Sequence, residues 1–129
     1  MNLLQTIAAP LGRVLISLMF LTSGLSKISG YAATQGYMEA MGVPSVLLPL
    51  VIAVEVLGGL AVILGWHTRI AAFLLAGFSL LSAILFHANF GDQMQMIMFM
   101  KNLAIAGGFL MIVSLGGGAY ALDNLKNRS

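Results

Sequence analysis

Of the 129 residues, 60% are hydrophobic and 8% are charged, with a mean hydropathy of +1.00. Soluble domains carry about a quarter charged residues, so this chain cannot cover a water-facing surface and reads as an integral membrane protein. The net charge of +2 is scattered, which excludes nucleic acid as a partner, and the absence of cysteine removes iron–sulfur ligation and thiolate nucleophiles from the chain.

Four apolar stretches follow one another, at about 7–28, 46–66, 70–87 and 94–115. Each is long enough to cross a hydrocarbon core of ~30 Å as a helix, the form in which a spanning segment satisfies its own backbone. The first carries Arg13 inside its apolar part, lacks a basic start and precedes no small-residue cleavage site. It is therefore expected to stay as a span and not to be removed as a signal peptide. The loop "SGYAATQGYMEAMGVPS" sets Tyr37, Met38 and Met41 on one side of a helical turn, with Thr34, Gln35 and Glu39 mostly elsewhere. That pattern predicts a short amphipathic segment on the membrane surface, with Pro44 opening the second span. "WHTR" and "ANFGDQ" make the remaining two turns. The expected fold is all-α, a single four-helix transmembrane domain over residues 1–129.

With four spans, both termini fall on one side. Arg13, Arg69, Lys126 and Arg128 lie there, against Lys27 and Lys101 opposite, so the positive-inside rule predicts cytoplasmic termini. Spans two and four share a thin echo, Glu55 before Gly58-Gly59 and Lys101-Asn102 before Gly107-Gly108. It does not by itself establish a duplicated hairpin.

Glu55 is the residue that asks for an explanation. Counted from Pro44 it lies ~16 Å deep, and Arg13 lies ~21 Å below Lys27. An ionised residue at mid-membrane costs ~2.5–3.5 kcal/mol, so it must be paired or protonated. The depths predict an intramembrane pair of Arg13 with Glu55 across the first two spans. The plain reading is a structural tie between two helices; the functional one is binding or proton transfer. Lys27, His87, Asn89, Lys101 and Asn102 come from three helices at similar depth, and with Glu55 beneath them they form a candidate polar cavity. Lys101, some seven residues into its span, is expected to be buried, with Glu55 or Asp92 as partner. His87 and Asn89, at a helix end, also read simply as solvated polar residues.

Gly58, Gly59, Gly107 and Gly108 are expected to pack helices closely. Met94, Met96, Met98 and Met100 form two pairs at i, i+4, but methionine is more often apolar filler than a metal ligand, and no metal is assigned. His67 and His87 fall at opposite faces, against a bis-histidine haem.

The combination of Arg13, Phe20, Gly24 and Lys27, then Glu55-x2-Gly58-Gly59 with Gly65 and Arg69, then His87, Lys101-Asn102 and Gly107-Gly108, resembles the DoxX family over nearly the whole chain. The resemblance implies a four-helix bundle of the bacterial inner membrane. It also implies a link to quinone-dependent oxidoreductases, among them thiosulfate:quinone oxidoreductase, or to redox stress. By motif position it marks Arg13, Lys27, Glu55, Arg69, His87 and Lys101. No autonomous catalytic motif is present, so electron transfer would need a bound quinone or a partner subunit's cofactor. A quinone between Lys101, His87 and Glu55 is chemically sensible. The leading expectation is a small accessory or anchor subunit of such an enzyme, in contact with lipid and with a redox partner or quinone. A proton-coupled transporter using Glu55, a structural membrane protein and a homo-oligomer stay open.

Overall fold

The computed structural model describes residues 3–86, 91–118 and 121–123. Among the described residues five α-helices follow one another: α1 (Leu3–Ser29), α2 (Tyr31–Ala40), α3 (Leu48–Leu64), α4 (Thr68–Phe86) and α5 (Gln93–Leu115), with a 3-10 turn over Ser45–Leu47 leading into α3. Four of them are long and apolar enough to cross a membrane, α3 together with its 3-10 turn, and no strand occurs among the described residues. The chain is an all-α membrane protein.

Local sequence sets the helix ends. After α2, the amide of Val43 donates to the Met38 carbonyl at 2.8 Å and that of Gly42 to Glu39 at 3.0 Å. Gly42 sits at φ 78°, where a side chain would clash with its own backbone. Val43 packs back on Met38 as this motif requires, and Pro44 then prevents the helix from resuming. α3 ends the same way at Gly65, φ 74°, with the Trp66 amide donating to Ala61 at 2.9 Å. Asp92 caps α5 by accepting from the Met94 amide at 2.9 Å.

The spans run alternately up and down, with α1 against α3, α3 against α4 and α4 against α5. α4 presents a stripe of small residues, Ala71, Ala72, Ala76, Ser79 and Ala83, so its neighbours come close and it is the most enclosed span. All four spanning helices meet at Phe20, Val62, Leu75 and Phe109. The Phe20 ring stands edge-on to Phe109 at 5.4 Å and to Phe78 at 6.3 Å between centroids.

α2 is more tightly held than an amphipathic segment merely resting on a bilayer. Met38 is buried with Val43 and Leu48, and Tyr37 stacks on Phe86 at the end of α4, 5.4 Å between ring centroids. The opposite end of the bundle, here called the terminal end, holds both described chain ends. There Ala9 lies against Gly118, and the Asp123 amide donates to the Gly65 carbonyl at 2.9 Å.

Three of the four expected packing glycines sit at helix contacts. Gly59 lies against the α1 backbone at Ser17 and Leu21, Gly58 against Leu75 and Gly108 against Ile16. Gly107 does not: a Cβ there would meet nothing within 4 Å. The inward stripe of α5 runs through Ile105, Ala106, Phe109 and Ile112, and Gly107 falls outside it.

Candidate functional site

The inner face of α1 carries Arg13, Ser17, Phe20, Gly24 and Lys27 at spacings of four, three, four and three, so these residues form one line toward α3. Along that line the antiparallel register sets Gly24 beside Glu55, Ser17 and Leu21 beside Gly59, and Arg13 beside Val62.

This register decides who pairs with whom. Lys27 Nζ lies 2.7 Å from Glu55 Oε1 and donates at 2.7 Å to Ser23 Oγ one turn back. Helical side chains lean toward the N-terminus of their helix, so Lys27, near the end of α1, reaches down into the bundle. The Glu55 side chain is 4% exposed and that of Lys27 26%, so the carboxylate is closed off while the ammonium keeps an outward side. At Gly24 a side chain would collide with Val56 and press on Glu55 Cβ, so the glycine permits the approach of the two helices at the pair.

The expected Arg13–Glu55 pair is therefore corrected. Arg13 Nη1 donates instead to the carbonyls of Val62 at 3.2 Å and Ile63 at 2.9 Å. The depth count failed because it set Lys27 and Pro44 at one level, whereas the helix register puts Glu55 beside Gly24, about one turn from Lys27, and Pro44 well beyond both. Glu55 lies ~10 Å along α3, and Arg13 meets the helix ~10 Å further on. What Arg13 does there is specific: it supplies a cation and donors to the C-terminal carbonyls of α3, the negative end of the helix dipole.

Beside it stands the reciprocal arrangement. Asp123, from beyond α5, accepts from the His67 amide at 2.7 Å, the Thr68 amide at 2.8 Å and the Thr68 hydroxyl at 2.7 Å. An anion thus seats on the first amides of α4, the positive end of that helix. Desolvation pushes the Asp123 carboxyl up, but the Thr68 hydroxyl and the two amides outweigh it and hold the group below its ordinary value. The turn between α3 and α4 is clamped by a cation on one helix end and an anion on the other. His67 takes φ 46°, a left-handed conformation unusual for a residue with a side chain, within this clamp. Sequence reading missed Asp123 and Thr68. The available signal was Thr68 opening a helix, which marks a cap without naming its long-range partner.

The remaining candidates separate. Lys101 is exposed on the outer side of α5, not buried as expected, because the inward stripe passes through Asn102, Ile105, Ala106 and Phe109 and leaves residue 101 on the far face. Asn102 is half-buried on that stripe. His87 and Asn89 lie outside the described residues, as do Lys126 and Arg128. Ser17 Oγ, fully buried, has no hydrogen-bond partner among the described residues.

The comparisons with known proteins agree with this architecture. The DoxX family model matches residues 8–88, which holds Arg13, Lys27, Glu55 and the whole clamped turn up to Arg69.

The chain belongs to the DoxX family.

Among DoxX-like relatives, it is 51% identical to the Escherichia coli "Inner membrane protein YqjF", with 99% of this chain and 98% of that one aligned. It is 36% identical to the E. coli "Inner membrane protein YphA", over 88% of this chain and 86% of that one. A third relative, from Bacillus subtilis and called "Putative oxidoreductase CatD", is 35% identical over 66% of this chain and 63% of its own. No solved structure matches.

Proposed function

We propose that this DoxX-family protein is an inner-membrane accessory subunit of a quinone-linked oxidoreductase, and that Lys27 and Glu55 form its proton-handling site. The observation that carries the reading is the enclosed carboxylate held by a half-open lysine inside a spanning bundle. The name of the Bacillus subtilis relative supports the redox direction, and those of the two E. coli relatives support the inner membrane. The positive-inside bias favours cytoplasmic termini, which sets the Lys27–Glu55 pair in the outer half of the bilayer.

The residues present fit a quinone head group. An ammonium has three N–H donors; Lys27 gives one to Ser23 and faces Glu55 as an ion pair, which leaves its exposed side for a carbonyl oxygen. A quinone, when bound, supplies two-electron chemistry accompanied by proton uptake at its oxygens. Lys27 Nζ would orient and hold such an oxygen, Glu55 Oε1 fixes that ammonium in place, and a proton passed from Lys27 to the oxygen would be replaced from water on the lysine's exposed side. The partner subunit brings the electrons. A proton-coupled carrier fits less well, since its carboxylate must be free to exchange protons for substrate and Lys27 already holds Glu55.

The test is binding of decylubiquinone to the purified protein in nanodiscs, with mass spectrometry of gently extracted complexes scoring bound quinone and co-extracted dehydrogenase subunits. Lys27→Met is expected to weaken decylubiquinone binding at least tenfold, while Lys101→Met leaves it unchanged. Equal binding by wild type and Lys27→Met would overturn the assignment. A Lys27→Glu, Glu55→Lys exchange that restored both protein level and quinone binding would reduce the pair to a structural tie.

A further inference from the structure

An open groove of about 560 Å³ lies at the terminal end of the bundle, between the start of α4 and the end of α5. Its wall is polar at His67 and Arg69 and apolar at Trp66, Ile70 and Leu115. The three apolar residues are 53%, 64% and 73% exposed, so this wall runs directly into the lipid-facing surface. Gly116 also lines the groove. Its missing side chain leaves room for the Arg69 guanidinium, whose Nη2 would lie 3.3 Å from a Cβ placed there.

The charges in and beneath the groove do not cancel. Asp123 accepts three hydrogen bonds from His67 and Thr68 and sits in the field of the buried Arg13. Arg69, by contrast, is exposed and has no hydrogen-bond or ion-pair partner among the described residues. Its planar fork of five donors matches a phosphate geometrically. A tryptophan at the groove mouth suits the level of lipid headgroups.

We infer that this groove is a binding site for an anionic phospholipid, with the phosphodiester on Arg69 and the acyl chains along Ile70 and Leu115. The occupant is a lipid and not a soluble phosphate compound because the apolar wall continues outward instead of closing over a ligand. An anionic lipid is preferred to a zwitterionic one because the charge of Asp123 is already offset by two amides and a hydroxyl, whereas that of Arg69 is not. The site is independent of the Lys27–Glu55 pair at the other end of the bundle and does not rest on the quinone reading.

The test is native mass spectrometry of the full chain in detergent micelles with equal amounts of dioleoyl phosphatidylglycerol and dioleoyl phosphatidylethanolamine. Wild type is expected to retain phosphatidylglycerol preferentially. A single basic residue at a lipid surface accounts for roughly a fivefold preference, so Arg69→Gln should lower the ratio by about that factor and Arg69→Lys should keep part of it. Wild type without a preference, or Arg69→Gln with the wild-type ratio, overturns the inference. Displacement of the phosphatidylglycerol by 10 mM inorganic phosphate, a concentration set roughly, would reassign the groove to a soluble anion and also overturn it. The wild-type arms stand even if a variant fails to fold.

Discussion

Gly65→Ala tests the clamped turn most directly. The residue sits at φ 74°, and a Cβ built there would collide with the Ala121 side chain and lie within 2.5 Å of Ala121 Cα and 2.9 Å of Arg13 Nη1. A flexible side chain could swing away, but a Cα belongs to the backbone, so the segment around Ala121 must move. Forcing a non-glycine residue into the left-handed region costs ~1–2 kcal/mol. Displacing the segment also breaks the Asp123 amide bond to Gly65 and lifts the carboxylate from His67 and Thr68. Losing a helix cap costs a further ~0.5–2 kcal/mol. The sum is about 1.5–4 kcal/mol, read as a drop in stability on denaturant-micelle titration, with faster amide exchange at His67 and Thr68. Gly77→Ala is the control, since its Cβ would meet nothing within 4 Å. As a mid-helix glycine it should be neutral or gain up to ~1 kcal/mol. Equal stability of Gly65→Ala and wild type, with unchanged exchange at the turn, would refute the argument.

Three further outcomes follow from the same geometry. Asp123 titrates below its ordinary value of 3.8 in the folded protein, so the unfolded chain binds more protons there; its stabilisation is present above that pH and is lost as the pH falls through the folded value. Asp123→Asn should flatten the acid limb of a stability-versus-pH curve, and an unchanged limb would refute the capping role. Arg13→Met leaves the Val62 and Ile63 carbonyls without their buried donor and should cost ~1–3 kcal/mol for each unsatisfied acceptor. Arg13→Lys should recover part of that loss in the same thermal unfolding assay in micelles. Lys101→Leu, on an exposed face, should change stability by no more than ~0.5 kcal/mol, and a larger loss would place Lys101 in a contact that this geometry denies it.

The spans and the surface helix were legible because length, hydropathy and the turn glycines act locally. Val43 folding back on Met38 is a local rule carried out by neighbouring residues. The polar partners were less legible because they depend on register between helices distant in sequence. Arg13 and Glu55 were matched on depths counted from Lys27 and Pro44 as if these lay at one level, and the register that sets Gly24 beside Glu55 gives Glu55 to Lys27. Lys101 was misplaced for a different reason. α5 is apolar on every side, with Met96, Ile97 and Met100 exposed and Phe109 buried, so hydrophobicity alone does not say which face turns inward. In lipid an outward Met costs little, and the signal that reveals a soluble helix's buried side is missing. Asp123 could not be read at all, since a carboxylate beyond a glycine turn looks like any solvated tail residue until its helix partner is known.

The aromatic layer of Phe20, Phe78 and Phe109 has a consequence for energy conservation. It lies between the Lys27–Glu55 pair at one end of the bundle and the Arg13–Asp123 cluster at the other, and Val62, Leu75 and Ala106, packed in the same core, are apolar. A charge crossing this layer would work against ~2.3 kcal/mol for every 100 mV of membrane potential, in addition to the cost of desolvation. The bundle thus keeps its two groups of charged side chains on opposite sides of an apolar layer.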